Sequence, residues 1–515
     1  VADDAHTTAP PGTLSLHLGS ALHPAGTHYP HVAQPRLHAR GARRVGAPHQ
    51  DVLGVSAARE HSLHAATSKN ARHRVCPIYP RQHITASAAT GNRRAYQSIP
   101  IIPCPVPLST VLYSTVLKGT DYSTGIGGAM FVARERELGA LKRMYETDGF
   151  QMVVLYGRRR VGKTTLIDEF VKNKRALYFT AQQKTSRQNL QLFSSAVYAA
   201  FSMPANLPGF SSWNDALSFV VNQAKATLDG QPLVFVFDEF PYAAEAEPSL
   251  PSAFQTAIDH GFRDTNVKLI LCGSNEGFME SEVLGSKSPL YGRRTMQMRL
   301  GPFDYLDAAR MLPGTPNKDL VAYYATFGGT PYYLSQVDPR ETYEENVRRL
   351  LFDNLGMLYE EPLMLLRQEL HEPASYNSIL DAIGAGNTSP TRIAETAGVN
   401  VNSVGKYLKA LIDLGIVEKD TPLGGGSASK SAAYRLKDPF FSYWYHFVSR
   451  YVGSIEEGVG AAVASYATAG PAFTTYVGKQ FENICLQWVR RESIAGRLPF
   501  AALEFGSWWG TDPDA

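Results

Sequence analysis

Gly157-Arg158-Arg159-Arg160-Val161-Gly162-Lys163-Thr164-Thr165 is the stretch that decides how this chain is read. It fits G-x-x-x-x-G-K-[ST], the pattern of a loop that cradles phosphates between a strand and a helix. The flanks supply both. Residues 151–156, Gln-Met-Val-Val-Leu-Tyr, form a short apolar run that predicts a buried strand, and residues 165–171 place apolar side chains at helical spacing. Gly157 and Gly162 permit backbone conformations that a side chain forbids. The loop's N–H groups and the helix N-terminus then make an anion site. Lys163 would bridge the β- and γ-phosphates, and Thr164 would place its hydroxyl on magnesium. A glycine turn carrying an incidental Lys-Thr is the plainer alternative, and the flanking strand and helix weigh against it.

Further strands follow in alternation with helices. Residues 176–180 predict a second strand, and Leu190, Leu192, Phe193, Val197 and Phe201 mark a helix after it. Leu233-Val234-Phe235-Val236-Phe237 then ends in Asp238-Glu239, a buried parallel strand that delivers acids at its C-terminal edge. In a nucleotide site Asp238 would orient the magnesium shell and Glu239 would be the base that polarises the attacking water. Residues 267–273 predict a fourth strand ending in Ser274-Asn275. Asn275 is the expected sensor of the γ-phosphate, Ser274 the alternative, and a plain turn the third reading. Residues 296–300 alternate as a fifth strand. Arg293 and Arg294 before it are either an arginine finger or an exposed salt bridge. The alternation predicts a parallel sheet with helices on both faces. A carboxylate base directly after the magnesium aspartate, with no Asn-Lys-x-Asp guanine-reading motif, points to ATP rather than GTP.

Composition divides the chain sharply. Residues 1–129 hold eleven of the fourteen histidines and no methionine, with twelve Lys/Arg against five Asp/Glu, a balance of +7. The remainder carries 38 basic and 42 acidic residues, so the net charge of +3 belongs to the first segment and says nothing for nucleic-acid binding by the body. Residues 1–100 lack sustained periodicity and bury too little apolar surface to offset chain entropy. Translation is therefore expected to begin at Met130, with 1–129 an over-extended, disordered N-terminus; a His-rich metal-binding arm is the alternative. No membrane span is expected, since Pro103, Pro105 and Pro107 interrupt the most apolar stretch. Four scattered cysteines without metal spacing suit a cytoplasmic protein.

Five boxes recur in one order: residues 131–138 (Phe-Val-Ala-Arg-Glu-Arg-Glu-Leu), the Arg-rich loop, Asp238-Glu239, Cys272-Gly273-Ser274, and residues 328–334 (Gly-Gly-Thr-Pro-Tyr-Tyr-Leu). Together they resemble an archaeal and bacterial family of P-loop ATPases of the signal-transducing STAND class, related to AAA+ proteins. The resemblance spans 130–515. It implies that Arg134 and Pro331 flank the adenine. That family usually reads Gly-Arg-Glu where this chain has Ala133-Arg134-Glu135.

The expected architecture is α/β: a P-loop NTPase parallel sheet over 130–302, a helical lid over 303–372, a winged helix over 373–440, and an incomplete α/β C-terminal domain over 441–515. Ser389-Pro390 opens the second helix of the winged helix with a cap and an N1 proline. Gly424-Gly425-Gly426 marks the tip of its wing. Lys406 and Lys409 face solvent on its third helix but are balanced by Asp413 and Glu418, so duplex DNA and a protein partner or second copy of the chain stay open as its partner. The family's C-terminal domain resembles a restriction-endonuclease fold whose later acids would lie beyond Ala515, which suggests a fragment. Glu482 alone cannot hold the metal ions of a nuclease, so no nuclease activity is expected. The expected function is an ATP-binding, slowly hydrolysing, magnesium-dependent regulatory switch. The alternative is a DNA-binding or defence-type effector whose ATPase gates a C-terminal domain.

Overall fold

The computed structural model describes residues 131–498, apart from 205, 228–229 and 422–431, together with 502 and 504–506. The expectations for 1–129, Met130, the glycine run at 424–426 and the stretch from Ser507 onward lie outside these residues.

Helix α1 (Glu135–Glu146) precedes strand β1 (Gln151–Tyr156). Then come α2 (Lys163–Val171), β2 (Ala176–Thr180), α3 (Ser186–Ala200), α4 (Trp213–Thr227), β3 (Leu233–Asp238), α5 (Phe240–Ala246), α6 (Leu250–His260), β4 (Val267–Gly273) and β5 (Met296–Arg299). All five strands are parallel, in the order β2-β3-β4-β1-β5. The apolar runs are continuous because both faces are covered. On one face Met152, Val154, Phe235, Phe237, Leu269 and Leu271 meet the aromatics of α3, α4 and α6. On the other, Val153, Leu155, Val234, Val236, Ile270 and Cys272 meet α1 and α2. Lys268 lies within β4 and is fully buried, its amine turned to the carbonyls of Thr147 and Gly149.

The rest of the described chain is helical except for one ribbon. Helices α7 (Tyr305–Ala309), α8 (Asn317–Phe327), α9 (Pro331–Leu334), α10 (Tyr343–Leu351) and α11 (Glu361–Glu369) follow the sheet. Helices α12 (Pro373–Gly384), α13 (Pro390–Ala397) and α14 (Val401–Asp413) come next, closed by the antiparallel strands β6 (Val417–Asp420) and β7 (Ala433–Leu436). Helices α15 (Pro439–Tyr443), α16 (Gly460–Thr468) and α17 (Gly470–Ile494) end the described part.

These helices do not form separate cores. Tyr333, Leu350, Ile379, Leu408, Phe440, Tyr443 and Tyr476 belong to one apolar cluster. Tyr476 donates to the carbonyls of Ala325 (2.8 Å) and Pro439 (3.0 Å), and Trp444 Nε1 donates to the Tyr359 carbonyl (2.6 Å). Arg491 on α17 pairs with Asp304 and Asp307 at the start of the lid. The aromatic run after Pro439 therefore completes the lid's core, and between 439 and 498 the described residues contain no strand.

Ala133 and Arg134 both take the left-handed conformation, at φ 59° and 65°. For an L-residue this costs roughly 1–2 kcal/mol, while the buried methyl of Ala133 returns about 0.8 kcal/mol. Ala133→Gly should thus stabilise the fold by a few tenths to about 1 kcal/mol, seen as a higher urea midpoint. Asp438 caps α15 through Phe440 N and also pairs with the buried Arg158 at 2.6 Å. Asp438→Asn keeps the cap but leaves a buried guanidinium unpaired, a loss of about 3–5 kcal/mol that the same titration would read.

Candidate functional site

The phosphate loop leaves β1 at Gly157, whose φ is +155°. A Cβ there would lie 2.2 Å from the Leu300 carbonyl oxygen, so only glycine fits beside β5's exit. Gly162, at φ +89°, turns the chain into α2. Lys163 is buried at the first position of α2, and its amine donates to the carbonyls of Gly157 (2.8 Å) and Arg158 (3.2 Å). Thr164 and Thr165 are exposed. Arg134 donates to the Val161 (3.1 Å) and Gly301 carbonyls and lies over the Phe303 ring. Pro331 borders the loop from the other side, its Cγ 3.8 Å from where a Gly162 Cβ would stand. Both residues expected near the base thus lie against Val161-Gly162.

The acids arrive from β3, separated from β1 by the single strand β4. Two inter-strand steps set the exits of β1 and β3 about 10 Å apart, room for a phosphate and a water. Asp238 is 3% exposed. Burial holds its carboxyl above the ordinary range, against the hydrogen bonds from Cys272 and Glu239 N–H and the charge of Lys163. Tyr178 also donates to it at 3.4 Å. Glu239 follows at φ 51°, a left-handed non-glycine residue. That turn aims its carboxylate at β4's exit, where Ser274 donates through Oγ (2.8 Å) and N–H (3.3 Å).

Asn275 points elsewhere. Its side chain accepts from Phe278 N at 3.0 Å, capping a short turn. The alternative residue, Ser274, is the one in contact with Glu239. Arg293 is committed to Asp259 on α6 through Nε at 3.1 Å and through NH2 at 2.5 Å. Both Arg293 and Arg294 precede β5, whose first residue pairs with Val153. They lie roughly 15 Å from the β1 exit along the strand direction, at the wrong edge of the sheet to reach this chain's own phosphate loop. From that position Arg293 takes the salt-bridge reading, with Asp259 as its partner. The arginine at the right edge is Arg299, which ends β5, pairs with the buried Glu276 and donates to the Asp413 carbonyl at 2.6 Å.

The triplet inside the loop meets carboxylates. Arg158 reaches Asp438 (2.6 Å) and Thr330 Oγ1 (3.0 Å). Arg159 reaches Glu369 (3.2 Å), Gln368 (3.3 Å) and the Tyr242 hydroxyl. Arg160 pairs with Glu361 and lies over the Tyr332 ring. Each of the three side chains is thus held by a carboxylate of the helical half. Sequence reasoning missed these three carboxylates, and Tyr242 and Arg299, because no spacing links them to the loop.

A glycine cradle, a buried lysine and oxygen donors fit a polyphosphate. For magnesium the fit is to Asp238 and Thr164 alone. Among the described residues no three His, Cys, Asp or Glu side chains form a metal cage, and magnesium ordinarily takes one or two carboxylates plus the substrate's phosphates.

A phosphate loop after a central parallel strand, with acids delivered two strands away, is the arrangement of a P-loop NTPase. Residues 131–337 match a family described as an ATPase domain predominantly from Archaea, and residues 444–514 match one described as archaeal and bacterial proteins of unknown function. An uncharacterised protein of Methanocaldococcus jannaschii is 30% identical over 382 residues, 74% of this chain and 82% of that one. The chain belongs to this family of P-loop ATPases. Among solved structures it is similar to a Walker-type ATPase of Pyrococcus abyssi, with 19% identity, 61% of this chain and 96% of that one covered, and a TM-score of 0.46. It is also similar to the Aeropyrum pernix ORC2 protein, solved in ADPNP–ADP complexes, with 15% identity, 65% and 98% covered, and a TM-score of 0.39. No helix among the described residues is long and apolar enough to cross a membrane.

Proposed function

We propose that the chain is a magnesium-dependent ATP hydrolase that works as a regulatory switch. The observation that carries this reading is Glu239 placed beside Asp238 and held by Ser274 across β4 from the phosphate loop. The loop amides and Lys163 bind the β- and γ-phosphates. To do so, the Lys163 amine exchanges its two carbonyl partners for phosphate oxygens. Asp238 and Thr164 would hold magnesium, which neutralises charge developing on the transferred phosphoryl group. Glu239 accepts a proton from the water that attacks the γ-phosphorus, and ADP and phosphate leave. Ser274 keeps the carboxylate aimed. Arg134 and Pro331 border the base. The switch reading is supported by the loop's side chains, all three of whose arginines pair with the helical half, so occupancy of the loop is felt there.

A DNA-reading role gains nothing comparable. We read α12–α14 with β6 and β7 as a winged helix, but Lys409 on its third helix is paired to Asp413 at 2.6 Å and α14's last carbonyl docks on Arg299.

Lys163→Ala should abolish ATP binding measured by calorimetry. Glu239→Gln should retain binding while phosphate release falls about 10²- to 10⁴-fold; normal turnover in that variant would remove Glu239 as the base. Ser274→Ala deletes one hydrogen bond to a charged group, worth about 1.5–3 kcal/mol, and should slow turnover about tenfold or more without weakening binding.

A further inference from the structure

The phosphate loop's own chemistry needs none of Arg158, Arg159 and Arg160, yet each is paired to a different carboxylate from the helical half. The three pairs are not equivalent. Arg158 and Asp438 are 4% and 5% exposed, sealed from water on both sides. Arg159 is 30% exposed while its partner Glu369 is only 5% exposed. Arg160 is 25% exposed and its partner Glu361, at the other end of α11, 3%. Both pairs are therefore open to exchange from the arginine's side, and of these two arginines Arg159 is the one that also binds Tyr242 on the helix after Glu239.

Glu369 stands in the reaction site's field. Its carboxyl is pushed up by burial, pulled down by Arg159 and Lys163, and pushed up again by Glu239 and Glu276. It is the last residue of α11, and Leu370 beyond it is extended. A helix end of this kind is where a hinge absorbs backbone change. Arg159 also binds Tyr242 on α5, three residues after Glu239, so one guanidinium joins loop, base helix and α11.

We infer that Glu369 is an internal competitor for the phosphate-loop arginine: paired to Arg159, it helps Glu361 hold α11 against the phosphate loop until ATP's third phosphate draws Arg159 away. This rests on the ATP-switch reading of the same site. A γ-phosphate brings negative charge to Arg159, whose present partner Glu369 is buried at the end of α11. ADP brings no such charge, so it binds without contesting Glu369. Discrimination between the two nucleotides thus becomes a conformational change at α11, while the sealed Arg158–Asp438 pair keeps the halves joined. A ligand shifts such an equilibrium only through its differential affinity for the two arrangements, and the third phosphate is where that difference arises.

The test uses the full chain and Glu369→Gln, which removes the charge and keeps the shape. Dissociation constants for magnesium ATP and magnesium ADP are measured for both proteins by calorimetry. Hydrogen exchange of residues 361–372 is followed with each nucleotide, and the urea midpoint checks that the variant is folded. Glu369→Gln should tighten ATP by about five- to tenfold or more, the ordinary size of such a coupling, with ADP changed less than about twofold. In the unaltered chain ATP, and not ADP, should speed exchange across 361–372. ATP binding with an unchanged ATP-to-ADP ratio in Glu369→Gln and equal exchange with both nucleotides overturns the latch and leaves the switch site standing. Failure of both proteins to bind ATP overturns the two together.

Discussion

The buried ion pair between Arg158 and Asp438 is the constraint on which the two halves depend. It joins residues 280 positions apart, one in the phosphate loop and the other at the start of α15. Neither charge can be left alone in that interior, because an unpaired buried ion costs several kcal/mol. Around it the remaining hydrogen-bond capacity is used: Thr330 Oγ1 accepts from the guanidinium, and Asp438 Oδ1 accepts from Phe440 and Phe441 N–H. The Phe441 ring closes one side. The loop's path and the packing of α15 are therefore one structural fact, and a fold that placed either differently would have to desolvate a charge without a partner.

The sheet grows from simpler rules. Four apolar runs and one alternating stretch were legible as strands, and all five form at the expected places. The candidate groups at their C-terminal ends were legible too, since a phosphate loop and an Asp-Glu pair are local signals. Strand order was not in the sequence. It decides that β4's exit, and so Ser274, stands between Lys163 and Glu239, while Asn275 one residue later faces Phe278. The same geometry separates Arg293 and Arg294 from this chain's own phosphate loop. They are near β5 in sequence, but a parallel sheet gathers its reacting groups at the carboxyl ends of strands, and these residues sit at the amino end.

The helical half was legible as helices and less so as a body. Periodicity marks an amphipathic stripe but does not say which stripe meets which. The aromatic run from Phe440 to Phe447 reads as the beginning of something new. In the structure Phe440 packs against Tyr333 with ring centroids 4.3 Å apart and planes tilted by 36°, and Tyr443 meets Tyr476 and Phe447. These residues fill one core with α8 to α12, so the boundary at 440 in the sequence is a change of composition inside a continuous interior.

The arginine triplet shows why such long-range pairing matters to function. Three unpaired guanidinium groups on a phosphate loop would strengthen binding of every nucleotide alike, since each would add attraction for whatever phosphate is present. Pairing them to Asp438, Glu369 and Glu361 removes that indiscriminate attraction and ties each remaining gain to a rearrangement of the helical half. Uniform binding does not operate a switch; only a difference in affinity between two arrangements does. In the switch we propose, the carboxylates make a loop that would hold any polyphosphate into one whose occupant competes with Glu369 for Arg159.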